Sequence, residues 1–124
     1  MKHVAIIGAS DNPERYAYKA FKKLQQNGYG VIPVHPVLDT IEDVPVVRSL
    51  DDIEEDVYAA TLYVRPSTGE RYIDQINRLK PKKVIMNPGS ESDRIEAECS
   101  PRDIIVLRAC TLVLLSSGQF ENAG

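Results

Sequence analysis

Val4-Ala5-Ile6-Ile7-Gly8-Ala9-Ser10 is the stretch that decides the fold. Four apolar residues run unbroken into a glycine and two small residues, and a helical pattern begins shortly afterwards. A strand buried on both faces reads as a continuous apolar run, the mark of a parallel sheet covered by helices. Gly8 can take backbone angles closed to other residues and lets a ligand approach the main chain. A helix that follows such a turn offers unpaired N–H groups and a partial positive charge at its start. The stretch therefore predicts a nucleotide-binding strand–turn–helix unit.

Working outward, strand-like and helix-like segments alternate. Asn12-Pro13 reads as a helix start, with Asn12 as cap and Pro13 at the first helical position. Tyr16, Ala17, Ala20, Phe21 and Leu24 recur at helical spacing, and Asn27-Gly28 ends the helix. Gly30–Val34 is the second strand. Val44–Val47 reads as an added edge strand, and 49–55 as one or two helical turns. Val57–Val64 is rich in β-branched and aromatic residues, as strands are. Ser67 and Glu70 have capping-box spacing, ahead of an apolar face of Tyr72, Ile73, Ile76 and Leu79. Lys83–Met86 is a strand, Ser90–Cys99 a polar helix and Ile104–Leu107 the last strand. Leu112–Leu115 reads equally as an edge strand or a covering helix. The alternation predicts one domain over residues 1–124, a Rossmann-like three-layer α/β/α sandwich with a mainly parallel sheet of five or six strands.

Composition narrows the function classes. The 124 residues carry a net charge of −3, against the basic face expected of a general nucleic-acid binder. Cys99 and Cys110 form no metal or disulfide pattern and read as reduced thiols. Charged Lys2 and His3 followed at once by a strand-length run predict no signal peptide, and Ile104–Leu115 is too short to span a bilayer. A cytoplasmic, membrane-free protein is expected.

In such folds the ligand lies across the carboxyl ends of the strands. One glycine stands in the first loop where the dinucleotide fingerprint G-x-G-x-x-G has three. Dinucleotide domains also place a carboxylate about 20 residues further on to bind the ribose. Here the second strand ends Val34-His35-Pro36, with no carboxylate before Asp39, which disfavours NAD. A histidine suits a phosphate-bearing ribose better.

The combination Gly8-Ala9-Ser10, Asn12-Pro13-Glu14-Arg15, Gly28-Tyr29, Val31-Ile32-Pro33-Val34-His35-Pro36 and Asn87-Pro88-Gly89-Ser90 resembles the small CoA-binding protein family. Those proteins are similar to the amino-terminal CoA-binding domain of the succinyl-CoA synthetase α subunit. The resemblance runs from Val4 to Cys110, with the motifs in order. It implies that Gly8, Ala9 and Ser10 line the diphosphate of coenzyme A or an acyl-CoA, with Arg15 or Lys19 adding positive charge. It implies further that His35 and Pro36 flank the adenosine, that Val64, Arg65 and Pro66 form another wall, and that Asn87, Pro88 and Gly89 line the pantetheine side. Three positions depart from the pattern: His35 stands where asparagine is common, Ala17 where serine is common, and Ala109 precedes Cys110.

No catalytic constellation is visible, and the phosphorylated histidine of the synthetase lies in a domain this chain does not match. His3 reads as a surface histidine, Cys110 as a small buried residue whose thiol lies near the site, and Arg65 as a basic residue directly after a strand. The expectation is a non-catalytic CoA or acyl-CoA binding or regulatory module. The alternatives are the CoA-binding subunit of a multi-chain acyl-CoA ligase and an NAD(H)-binding regulator. Apolar surface around Leu112–Leu115 makes a homodimer or a larger partner subunit the partner classes to test.

Overall fold

The computed structural model describes residues 1–123. In chain order the elements are β1 (His3–Ile7), α1 (Tyr16–Gln26), β2 (Gly30–Val34), β3 (Thr40–Ile41), β4 (Val44–Pro45), β5 (Val57–Leu62), α2 (Pro66–Glu70), α3 (Ile73–Leu79), β6 (Lys83–Met86), α4 (Asp93–Cys99), β7 (Ile105–Arg108) and α5 (Thr111–Ser116). Short 3-10 turns occupy Leu50–Asp52 and Ser100–Arg102. Five strands form a parallel sheet in the order β2-β1-β5-β6-β7. The Rossmann-like α/β/α sandwich expected from the alternation is the architecture found.

The opening run explains why the sheet is double-covered. Val4, Ala5, Ile6 and Ile7 are all fully buried. Val4 and Ile6 pack with Phe21 and Leu24 of α1 and Leu115 of α5. Ala5 and Ile7 face the other way, onto Ile73 and Ile76 of α3 and Ile95 of α4. Successive side chains of a strand point to opposite faces, so no position in the run is free to be polar. The chain winds first from β1 to β2 and then crosses to β5 on β1's other side. The order therefore reverses between β1 and β5, and their carboxyl ends splay into a crevice.

Several local expectations are corrected. Asn12 caps a turn rather than a helix: its Oδ1 accepts from the Glu14 amide at 3.0 Å, and its carbonyl from the Arg15 amide at 3.0 Å. Helix α1 starts only at Tyr16, with Arg15 as its cap residue and no side chain closing its end. The Ser67/Glu70 capping box is absent; α2 begins at Pro66, and Glu70 instead accepts from Ser92 Oγ at 2.7 Å. Val44–Val47 adds no sixth strand: β4 pairs antiparallel with β3, and Val47 makes a single bridge to Val34. The Leu112–Leu115 segment lies in helix α5, with Leu115 buried and Val113 exposed. No described helix is long and apolar enough to cross a membrane.

At the amino end of the sheet the tail folds back as a clasp. Phe120 is buried against the rings of Tyr29 and Tyr58. Buried Lys83 reaches out of β6 to donate to the carbonyls of Phe120 at 2.9 Å and Ala123 at 3.0 Å. Glu121 pairs with Lys2 and Tyr29, which hold its carboxyl below the usual 4.5. Lys22 and Tyr18 do the same for Glu42, and Arg78 for Asp51. Carboxyls lowered in this way stabilise the fold above their unfolded values and lose that contribution as pH falls through the folded ones. The melting temperature is therefore expected to decline most steeply below pH 4.5, and calorimetry across the acid range checks it. A decline already complete above pH 5, about the upper end of carboxylate titration, would contradict the assignment.

Candidate functional site

The crevice holds a cleft of about 550 Å³. Six segments wall it: Gly8, Ala9 and Ser10 after β1; Arg15, Tyr16 and Ala17 at the head of α1; His35 and Pro36 after β2; Tyr63 and Val64 after β5; Thr68 and Tyr72 around α2; and Pro88, Gly89 and Ser90 after β6.

Gly8 sits at the pivot with φ +87°. A Cβ there would lie 2.6 Å from Val64 Cγ1 and 2.8 Å from the Tyr63 carbonyl oxygen, so glycine is required by angle and by space. The amides of Gly8 and Ala9 do not face the cleft as free donors. Both donate to the Val34 carbonyl, at 3.2 and 3.1 Å, tying the first loop to the end of β2. The available donors lie one step further along. Among the described residues the amides of Ser10 and Asp11 meet no acceptor. Ser10 Oγ accepts from the Asn12 amide at 3.0 Å, which leaves its own hydrogen for the cleft. The head of α1 adds to them, since its first N–H groups have no intrahelical partner and no side chain caps them. Arg15 supplies a full positive charge beside that helix end, and none of the lining residues is a carboxylate. An anion is the complementary ligand for this wall.

At the end of β2, His35 Nδ1 accepts from the amides of Val37 at 3.0 Å and Leu38 at 3.1 Å. Ser90 Oγ donates to the Val64 carbonyl at 2.6 Å, locking two wall segments together. Beneath the cleft, the Tyr63 hydroxyl is enclosed without a hydrogen-bond partner. Burial pushes it up to about 12; the nearby Thr61 and Thr111 hydroxyls pull the other way, but they bond each other at 2.7 Å rather than the phenol.

Four residues expected at the site lie outside its walls. Lys19 is one turn into α1, and its Nζ rests over the Tyr16 ring, 5.2 Å from the centroid. Arg65 and Pro66 form the cap and first position of α2 and do not line the cleft. Asn87 is 2% exposed and internal. Its Nδ2 donates to Thr61 Oγ1 at 2.6 Å and to the Leu62 carbonyl at 2.8 Å, while its Oδ1 accepts from the Thr111 amide at 2.9 Å. It ties β5, β6 and α5 together below the site. Conversely, Tyr16, Tyr63, Thr68 and Tyr72 line the cleft although nothing in the sequence marks them as site residues, and so do Ala17, a departure from the family pattern, and Ser90, the last residue of the Asn87-Pro88-Gly89-Ser90 motif. Tyr16, Ala17 and Tyr72 fall on apolar helical stripes and look like core in sequence; Thr68 and Tyr72, four residues apart across the α2–α3 break, are the one spacing that signals a shared face. Cys110 caps α5 and is half-buried, and Cys99 is a buried core residue whose thiol is pushed up by burial.

Residues 2–116 match the family described as CoA binding domain. The chain is 31% identical over 77 residues to Bacillus subtilis YneT, covering 59% of this chain and 57% of that protein. It is 29% identical over 105 residues to the ADP-forming acetate–CoA ligase of Methanocaldococcus jannaschii, covering 83% of this chain and 15% of the ligase. It thus spans less than two thirds of the length of either relative. A crystal structure of an uncharacterized protein superposes with TM-score 0.90 at 37% identity, over 97% of this chain and 98% of that one. With nearly its whole length matched and its sheet reversing at the donor-lined cleft, this chain belongs to the CoA binding domain family.

Proposed function

We propose that the cleft binds coenzyme A or an acyl-CoA, and that the chain acts as a binding or regulatory module with no catalytic group of its own. The observation that carries this reading is the uncapped head of α1, opening with Arg15 onto a wall free of carboxylates. The diphosphate sits between Ser10 and that helix end, with Gly8 and Ala9 beneath it as a scaffold. His35 and Pro36 flank the adenosine, Val64 forms the middle wall, and Pro88 and Gly89 border the pantetheine arm. Lys19 and Arg65 contribute at longer range, and Pro66 and Asn87 by holding the walls in place.

Titration calorimetry with CoA, dephospho-CoA, ATP and NAD tests it. CoA is expected to bind below millimolar concentration and NAD weakest. Loss of the 3′-phosphate lowers affinity if a cationic group reads that end. Arg15→Ala is expected to weaken CoA about tenfold or more, the size of one charge-assisted hydrogen bond. Because Arg15 is exposed, its melting temperature should stay near wild type. Absence of CoA binding, or an unchanged affinity in Arg15→Ala, would count against the reading.

A second reading is favoured by one finding: most of this chain aligns with a small part of an ADP-forming acetate–CoA ligase. On that reading the module serves a larger acyl-CoA ligase partner that supplies the catalysis. Affinity purification from the native cell distinguishes the two. A larger nucleotide-using subunit retained in stoichiometric amount supports the partner reading, and recovery of this chain alone supports the self-standing module.

A further inference from the structure

Among the described residues Tyr16 is the one exposed aromatic; the other five tyrosines and both phenylalanines are buried or half-buried. Tyr16 is 68% exposed. A single apolar residue in water is ordinary on a protein surface and asks for no explanation. Tyr16 differs by its place. Met1, Val37, Ile105 and Val113 are large, apolar and exposed too, but none of them lines the cleft, and Tyr16 does.

The helix gives the ring its position. Tyr16 opens α1, where Ala17 and Ala20 take the buried face. A helical side chain leans back towards the amino end of its helix. The first ring of α1 is therefore set at the mouth where the helix N–H groups lack partners. Two cations stand beside it. The Lys19 ammonium rests over the ring, 5.2 Å from the centroid, within cation–π range. The Lys19 amide donates to the Arg15 carbonyl at 3.1 Å, which puts the two basic residues one turn apart along the helix. Among the described residues neither is in an ion pair. An aromatic face flanked by two such cations complements a flat ring that carries anionic groups close by. A branched aliphatic chain or a run of amides has no π-face to lay on it.

We infer that Tyr16 is the platform on which the adenine of the ligand stacks, with Arg15 and Lys19 countering the phosphates of its ribose. This rests on the reading of the cleft as a coenzyme A site and assigns the residue that recognises the base. His35 and Pro36 line the same cleft and border the adenosine; Tyr16 supplies the face that the base covers. The pantetheine arm does not depend on it.

Titration calorimetry of Tyr16→Ala and Tyr16→Phe tests the platform with three ligands. They are CoA, adenosine 3′,5′-bisphosphate, which has the base without the arm, and 4′-phosphopantetheine, which has the arm without the base. Loss of one stacking platform should weaken CoA and the bisphosphate by about tenfold each in Tyr16→Ala. The same variant should bind 4′-phosphopantetheine as wild type does; should that ligand bind too weakly to titrate, the bisphosphate decides alone. Tyr16→Phe keeps the face and should match wild type for every ligand. Because Tyr16 is exposed, both variants should melt with wild type, so that lost affinity is not lost folding. An unchanged CoA affinity in Tyr16→Ala, an equal loss for 4′-phosphopantetheine, or a loss in Tyr16→Phe as large as in Tyr16→Ala would overturn the platform and leave the CoA reading standing. A wild-type protein that binds none of the three overturns both.

Discussion

Gly8→Ala is expected to cost about 4 kcal/mol of folding stability, from two sources. An L-residue forced into the left-handed region loses about 1–2 kcal/mol, and inserting a carbon into packed surroundings costs about 1–3 kcal/mol more. Both apply at Gly8, where φ is +87° and the new Cβ would stand 2.6 Å from Val64 Cγ1 and 2.8 Å from the Tyr63 carbonyl. For a chain of this size the melting temperature should fall roughly 10–15 °C. Because Val64 lines the cleft, CoA affinity should fall as well. Adding Val64→Ala removes one of the two clashing atoms and leaves the carbonyl, so the double variant should recover part of the stability and not all of it. Full recovery would mean that the backbone angle carries no cost; no recovery would mean that Val64 is not the obstacle. Urea unfolding of the three variants measures this cycle.

Asn87→Ala is expected to cost about 3 kcal/mol. The carboxamide is the partner of the Leu62 carbonyl and of the Thr111 amide, both of which its removal leaves without a bond. A buried group deprived of its partner costs about 1–3 kcal/mol. Asn87→Asp should do no better: a carboxylate still accepts from Thr111 but offers nothing to Leu62, and its charge is buried. Thermal melting separates this structural role from a ligand role. Were Asn87 a wall of the cleft, the alanine variant would keep its stability and lose affinity; the opposite order is expected.

The two residues show what can be read from a sequence and what cannot. Gly8 was legible because its meaning is local: a buried run, then a residue free of Cβ, then a helix. The strands Gly30–Val34 and Lys83–Met86 were legible for the same reason, although Lys83 looks like a strand end exposed to water. Its ammonium is instead turned onto the carbonyls of Phe120 and Ala123, almost forty residues away in the chain. Asn87 stood in a motif suited to a ligand wall, and only the approach of Thr61 and Thr111 shows that it points inward. Glu70 likewise leaves its expected cap for Ser92, a choice made by packing between α2 and α4. At Asn12-Pro13 the sequence carries the cap chemistry but not what it caps. The asparagine closes a turn, and that turn delays the helix until Tyr16, widening the loop in which Ser10 and Asp11 keep their amides free. Tyr16 and Tyr72 carry apolar spacing whether they face a core or a cleft, so periodicity alone does not separate the two.

A crystal structure of the chain grown with coenzyme A tests the central claim most directly. The account predicts diphosphate oxygens within hydrogen-bond distance of the Ser10 and Asp11 amides and the first turn of α1, with Arg15 alongside. A cleft left empty at saturating ligand, or CoA bound elsewhere on the surface, would contradict it.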